Sequence, residues 1–252
     1  MQINTAVLGA YAQAQDQLYH GKLADYIPEL KKANPRAFGV ALLDPDGKYH
    51  HAGDVDELFT IQSISKVIAL IAAIRTIGMD KVFDKVGVEP TGDPFNSIMK
   101  LETTAHVPFN PFINAGAHVI SNILAANLPF GELLDYAGKL LNADLRVNEA
   151  VYNSEKQSGL RNRAMGYLLA SKDMTCENVE EYLDYYFRFC AVEANAMNLA
   201  HMGLILAHNG ENPITGARLI DDSVAKITKA RIIRKTNAIG HFGLLSFMLS
   251  PP

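Results

Sequence analysis

The most informative part of the sequence is the run Phe59-Thr60-Ile61-Gln62-Ser63-Ile64-Ser65-Lys66. It places a serine hydroxyl and a lysine amine three residues apart, directly before the apolar run from Val67 to Ile74. Residues three apart share a face of a helix, so Ser63 and Lys66 are expected to lie side by side. A neutral lysine can take the proton that makes a serine nucleophilic, and burial favours the neutral amine. The pattern predicts a Ser-Lys acyl-transfer site at the start of a buried helix, Ser63 to Ile77.

A Ser-x-x-Lys spacing alone is weak evidence for such a site, because short motifs recur by chance. The chain has a second copy from Ser223 to Lys226, which we interpret as the polar side of a surface helix. A catalytic role for Ser63 and Lys66 therefore needs evidence from other parts of the sequence.

Composition restricts the class of protein. The chain has 252 residues, of which 48% are hydrophobic and 20% charged, the balance of a soluble globular protein with one large domain or two lobes. Its net charge is −4 and it has no dense basic run, which disfavours nucleic-acid binding. Prolines and asparagines interrupt the uncharged stretch from Thr103 to Gly131, so it predicts a buried helix facing a cavity rather than a membrane span.

The cysteines and the N-terminus favour a cytoplasmic protein. The start, Met1 to Asn4, lacks the basic region and apolar core of a signal peptide. Cys176 and Cys190 form no disulfide framework and have no metal-ligand spacing, so we expect free thiols in a reducing compartment.

The histidines predict no metal site. His50 and His51 point to opposite faces of a predicted strand, and we interpret them as a surface pair. Three further histidines on predicted helices have no second ligand nearby in sequence and are expected to be structural: His118, His201 and His208.

Local patterns predict one hairpin followed by a helical body. The residues from 37 to 52 contain Phe38 to Leu43, an Asp-Pro-Asp-Gly turn and Lys48 to His51, which together indicate a β-hairpin. Two strands alone make a poor sheet. Besides Ser63 to Ile77, helices are expected over Asn4–Tyr19, Asp25–Lys32, Ile113–Ala126, Glu132–Leu141, Val147–Ser158, Asn162–Ala170, Asn178–Ala191, Ala194–Ala207 and Asp222–Ala230.

Six ordered sequence blocks resemble the serine-dependent glutaminases of the β-lactamase-like fold. Such a series is far more specific than one Ser-x-x-Lys. The blocks are Gly21–Leu30, Phe59–Lys66, Gly87–Ser97, Asn110–Ala117, Ser154-Glu155 with Arg161-Asn162, and Tyr186–Cys190.

The resemblance implies an α/β fold of the β-lactamase/transpeptidase type, with a small antiparallel sheet and a large helical lobe at about 63–210. The whole chain, 1–252, would form a single glutaminase domain. The implied reaction is hydrolysis of L-glutamine to L-glutamate and ammonia, with no metal or organic cofactor and no nucleic-acid or membrane partner. We also expect a homo-oligomer, either a dimer or a tetramer.

The resemblance also assigns roles to individual residues. Ser63 would be the nucleophile and Lys66 its base, while Tyr26 and Tyr186 would relay the proton or fix the serine. A backbone N–H at the helix start would stabilise the oxyanion. The substrate-binding set would be Gln62, Ser63, Asn114, Glu155, Asn162 and Tyr186. A buried carboxylate such as Glu155 suits the α-ammonium of glutamine, and the asparagine amides suit its α-carboxylate.

Simpler interpretations of these residues stay open from the sequence. Tyr26 and Tyr186 are also compatible with ordinary half-buried tyrosines. Asn114 is equally suited to capping the helix that follows it, and Glu155 to being a solvated surface charge. Glu155 and Asn162 share a helical face if their helix is continuous, but Gly159 lies between them.

The likeness ends near Ala230, and the tail 231–252 diverges from the family pattern. The family continues with a Gly-Met-Tyr tyrosine and a Lys-Ser-Gly-Val run whose valine contributes to the oxyanion hole, and loss of one such donor typically costs about 10²–10³ in rate. We hypothesise a frameshift, a truncation or a replacement; the sheet then stays incomplete unless Ile239 to Leu249 supplies a strand. The alternatives to a glutaminase are a non-catalytic family member that binds glutamine, glutamate or other subunits, and a serine enzyme acylated by β-lactams.

Overall fold

The computed structural model describes residues 3–89 and 107–234. Most of the loop predicted from Gly87 to Asn96 lies outside these residues, and so does the strand considered for the tail.

The predicted hairpin is confirmed. Strand β1 (Gly39–Leu43) pairs with β2 (Tyr49–Gly53) in antiparallel register, with Leu43 opposite Tyr49. Gly47 has a φ of 83° at the turn, a conformation that a glycine adopts without steric cost. The interpretation of His50 as a surface residue is wrong, because it is buried and donates from Nε2 to Asp44 Oδ2 over 2.9 Å. His51, its neighbour on the other face, is exposed.

The described residues otherwise form a mainly helical body. Three short 3-10 helices cover Leu18–His20, Pro28–Lys32 and Gln62–Ile64. The α-helices are α1 (Ile3–Gln15), α2 (Ser65–Ile77), α3 (Met79–Phe83), α4 (Asn114–Asn127), α5 (Phe130–Leu141), α6 (Glu149–Ser158), α7 (Leu160–Ala170), α8 (Val179–Cys190), α9 (Ala196–Ala207) and α10 (Asp222–Arg234).

Helix α2 forms the centre of the main hydrophobic core. Every residue from Ser65 to Ile74 is buried, and the helix packs against α4, α5 and α10. Helix α8 contacts α4, α6 and α7 and joins a second apolar cluster that includes Ile27 and Tyr182. The hairpin lies at one side of this body, in contact with α1 and α9. The expected small sheet and large helical lobe are therefore present.

Three local features differ from the sequence-based expectation. Helix α2 begins at Ser65 rather than Ser63, because Gln62 has a φ of 44° and the chain passes through a 3-10 turn first. The helix expected from Asp25 is a 3-10 helix starting at Pro28. A second strand pair, β3 (Phe59–Thr60) with β4 (Glu193–Ala194), was not predicted, since two residues are too few to show alternation.

The uncharged stretch of the sequence is confirmed as a buried helix where it is described. Nine residues of α4 are buried, among them His118 and Ser121. Within residues 3–89 and 107–234, no helix combines the length and the apolar character needed to cross a bilayer.

Gly116 is required by the close approach of α4 to the segment before it. A Cβ at this position would lie 1.9 Å from the backbone oxygen of Asn110.

We expect Gly116→Ala to lower the free energy of unfolding by about 3 kcal/mol through overpacking, measured by urea denaturation. Gly203 in α9 is the matched control, because a Cβ there meets nothing within 4 Å. Gly203→Ala should raise the free energy of unfolding by about 1 kcal/mol, and equal losses in both variants would contradict the packing argument.

Candidate active site

A hydrogen-bonded turn presents Ser63 between β3 and α2. The Ile61 N–H donates to Val192 O over 2.8 Å and anchors the turn to the chain just before β4. The Gln62 carboxamide donates to Thr60 Oγ1 over 2.9 Å and accepts from the Tyr26 hydroxyl over 2.7 Å. These bonds hold Gln62 at its positive φ, a conformation that a non-glycine residue keeps only when its surroundings enforce it. Ser63 follows directly and is half-buried.

Lys66 lies within the first turn of α2 with only 4% of its surface exposed. Its Nζ donates to Asn114 Oδ1 over 2.7 Å. The capping interpretation of Asn114 is wrong, since Asn114 is the first residue of α4 and its neighbour Ile113 occupies the N-cap. A cavity large enough for about one water molecule borders Lys66, Ser65 and Tyr186.

A row of side chains continues from Lys66 to Glu155, and we call it the Lys66–Glu155 chain. Asn114 Nδ2 donates to Asn162 Oδ1 over 3.3 Å, and Asn162 Nδ2 reaches Glu155 Oε1 at 3.4 Å. The four residues come from α2, α4, α7 and α6. The fold thus brings together a lysine and a carboxylate that are far apart in sequence.

Glu155 is a buried carboxyl group with unused bonding capacity. It is 3% exposed, which makes the surface interpretation wrong, and its Oε2 has no hydrogen-bond partner among the described residues. Burial raises the pKa of Glu155 to about 7, against an opposing effect of the Lys66 charge. A group of this kind is suited to receiving a cation from a ligand.

The helix that carries Glu155 is broken before Asn162. Helix α6 ends at Ser158 and α7 begins at Leu160, with Gly159 between them. A Cβ at Gly159 would lie 2.7 Å from Glu155 O and 3.0 Å from the Phe187 ring, so the break also allows α8 to pack closely. The two residues meet although their helix is not continuous.

The two candidate tyrosines occupy different environments. Tyr26 is 57% exposed and its hydroxyl bonds to Gln62, next to Ser63. Tyr186 is buried, and burial together with the nearby Cys190 and Glu155 raises its pKa well above the usual value. Tyr186 therefore keeps its phenolic proton at neutral pH.

Two supporting residues were not predicted as part of the site. Thr60 holds the Gln62 carboxamide, and Cys190 lies with its Sγ 3.6 Å from Ser65 Oγ. Both residues lie inside family-like blocks, but no pattern indicates their contacts, because these depend on the β3–β4 pairing and on how α8 packs. His118 was expected to be structural. It lies four residues after Asn114 on α4, and this spacing could have marked it as a neighbour of the site.

Comparisons with known proteins identify the family of this chain. The family model described as glutaminase matches residues 21–235. Glutaminase 2 of Clostridium perfringens is 45% identical over 219 residues, which cover 85% of this chain and 72% of the relative.

Solved structures show the same fold. A probable glutaminase from Bacillus subtilis, complexed with 6-diazo-5-oxo-L-norleucine, has a TM-score of 0.83 at 36% identity over 96% of this chain and 76% of that chain. The covalent complex of the Bacillus subtilis glutaminase YbgJ with 5-oxo-L-norleucine has a TM-score of 0.81 at 35% identity, covering 96% of this chain and 78% of that one. The β-lactamase-like fold is thereby confirmed, and the chain belongs to the glutaminase family.

Proposed function

We propose that this chain hydrolyses L-glutamine to L-glutamate and ammonia, with Ser63 as the nucleophile. The observation that carries the proposal is the Lys66–Glu155 chain, which starts three residues after the serine and ends at a carboxylate oxygen that has no partner within residues 3–89 and 107–234. It offers a base at one end and a site for an α-ammonium group at the other.

The chemistry follows an acyl-enzyme route. Ser63 Oγ attacks the side-chain amide carbon of glutamine while its proton passes to Lys66, whose position is fixed by Asn114. Collapse of the tetrahedral intermediate breaks the C–N bond, and the leaving nitrogen takes the proton to depart as ammonia. Water then hydrolyses the glutamyl ester to release glutamate and restore Ser63.

Polar groups around the serine are suited to the two ends of the amino acid. Glu155 Oε2 would accept from the α-ammonium group in a charge-assisted hydrogen bond. Each asparagine amide nitrogen carries two protons, one of which is used within the Lys66–Glu155 chain. The second proton on Asn114 and on Asn162 is the donor that we propose for the α-carboxylate.

The remaining roles concern the serine turn. Tyr26 bonds to Gln62, which supports a role in fixing the turn rather than in moving the proton. Gln62 in turn would keep Ser63 oriented, with the Ser63 backbone N–H as an oxyanion donor. Tyr186, protonated beside Lys66 and Ser65, would contact the substrate.

A related enzyme supports covalent catalysis. The Bacillus subtilis glutaminase YbgJ forms its covalent complex by reaction with 6-diazo-5-oxo-L-norleucine. Trapping by such a compound requires a nucleophile in that protein's site, and we propose Ser63 as its counterpart.

We expect Ser63→Ala to reduce ammonia release from L-glutamine to the level of an enzyme-free blank. Lys66→Ala should reduce it by about 10²–10⁴-fold, the usual contribution of a general base.

The surface copy of the motif supplies matched controls, because Lys226 pairs with Asp222 on α10, far along the sequence from the turn. Ser223→Ala and Lys226→Ala should keep wild-type rates. Wild-type turnover in Ser63→Ala would refute the assigned nucleophile, and a folded wild type that binds glutamate without releasing ammonia would instead indicate a non-catalytic member.

The raised pKa of Glu155 predicts that kcat/KM for L-glutamine depends on pH. Below pH 7 the buried carboxyl carries a proton and cannot pair fully with an ammonium group, whereas above pH 7 it is ionised. We expect kcat/KM for L-glutamine to rise through an apparent pKa near 7. Glu155→Gln should lower kcat/KM and remove that inflection. An unchanged inflection in Glu155→Gln would contradict the assignment.

We further propose a homo-oligomer, a dimer or a tetramer, that uses α7. Leu160 and Tyr167 on this helix are 72% and 55% exposed and seven residues apart, so they share one face. Light scattering on the full chain should give a multiple of the 27.6 kDa monomer mass. Leu160→Arg should reduce that mass, while Leu58→Arg, at a side chain that is also exposed, should not.

We also propose a single domain in the cytoplasm. One core cluster contains residues from Ile61 to Ile232, which supports one cooperative unit, and a single calorimetric transition would be expected.

Both cysteines are free, as suits a reducing compartment. Cell fractionation that recovers the protein outside the cytoplasm would contradict the location.

A further inference from the structure

His118 is a fully buried polar residue beside the proposed site. It lies on α4, four residues after Asn114, and none of its surface is exposed. A neutral imidazole carries one N–H donor and one acceptor nitrogen. Neither ring nitrogen has a hydrogen-bond partner among the described residues. Buried polar atoms are nearly always paired, so an unpaired imidazole requires an explanation.

The ring lies between the second apolar cluster and the proposed site. The Tyr186 and Tyr182 rings of α8 meet it edge-on, with centroids 5.1 Å and 6.0 Å away. Burial, together with the Lys66 charge, lowers the pKa of His118 to about 3, against an opposing effect of the Asn162 side chain. His118 is therefore neutral and adjacent to two members of the Lys66–Glu155 chain.

Asn162 is the member of that chain whose orientation is least well fixed. An asparagine carboxamide keeps almost the same shape when its oxygen and nitrogen exchange places, so only its hydrogen bonds define the orientation. Its bonds to Asn114 and Glu155, at 3.3 Å and 3.4 Å, are long compared with an ordinary N–H···O bond of about 2.9–3.0 Å. Asn114 already donates to Asn162 Oδ1, and a second donor there would further disfavour the flipped form, in which N–H groups would face each other.

We propose that His118 is a positioning residue of the glutaminase site. When substrate is bound, its ring N–H donates to Asn162 Oδ1 and keeps the Asn162 nitrogen directed towards Glu155 and the substrate carboxylate. Hydrogen bonds in active sites often tighten only when the substrate is bound, and we expect the same of the bond from His118. The inference rests on the proposed function, because it assigns Asn162 to substrate binding.

The test uses His118→Leu, which fills a similar volume without polar atoms. Loss of the donor should raise KM for L-glutamine about 10-fold, the value of one hydrogen bond, with kcat nearly unchanged. The melting temperature should stay the same or rise, since two unpaired buried atoms are removed. His118→Gln retains an N–H donor and should recover part of the lost affinity. A purely structural histidine would leave KM unaltered in His118→Leu, and that result would overturn the proposal.

Tyr182→Phe is the matched control. The Tyr182 hydroxyl is likewise buried without a hydrogen-bond partner among the described residues and belongs to a ring that contacts His118. It takes no part in the Lys66–Glu155 chain, so KM should match the wild type. An equal rise of KM in Tyr182→Phe would assign the effect to general packing and overturn the proposal.

A binding measurement separates this inference from the proposed function. L-glutamate is titrated by calorimetry into Ser63→Ala and into the double variant Ser63→Ala/His118→Leu, neither of which needs to turn over. We expect about 10-fold weaker binding in the double variant. A wild-type chain that releases no ammonia would refute the proposed hydrolysis, whereas equal glutamate affinities of the two variants would refute the role of His118.

Discussion

A lysine amine held inside the protein is the constraint on which the site depends. Lys66 is almost fully buried in the first turn of an apolar helix, where an amine is costly unless it is hydrogen-bonded. Asn114 supplies a bond and is itself fixed by Asn162, which continues to Glu155. The row ties α2 to three other helices. The contacts that pack these helices together therefore also arrange the site.

Glycines allow these helices to come close enough for that row to form. Gly116 lets α4 approach the backbone oxygen of Asn110, and Gly159 ends α6 where a side chain would meet Glu155 O and Phe187. Asn110 also accepts from the backbone N–H groups of Phe112 and Ile113, which fixes the entry into α4. These contacts of the preceding segment place Asn114 where it can bond to Lys66.

The sequence predicted the elements that carry strong periodicity and the residues that fall in family-like blocks. The hairpin and the long helices appear near their expected positions, because apolar spacing and turn residues are local signals. The bent entry to α2 could not be predicted, since the positive φ of Gln62 depends on contacts with Tyr26 and Thr60. The burial of His50 was missed, and that of Glu155 followed only from the resemblance, because a lone charged or polar residue gives no indication of the partner that the fold brings to it. Ser63, Lys66 and Asn114 were identified by resemblance, while their mutual geometry required the structure.

The break between α6 and α7 has a consequence for stereochemistry. It sets Glu155 and Asn162 on separate rigid segments at a fixed distance, while the turn at Ser63 provides a third point from another part of the chain. Three fixed points of different chemistry form an asymmetric frame. An amino acid of the opposite hand can satisfy two of them but directs its side chain away from the third. In the roles proposed here, these three points would favour the L enantiomer, and the glycine between the two helices helps to fix two of them.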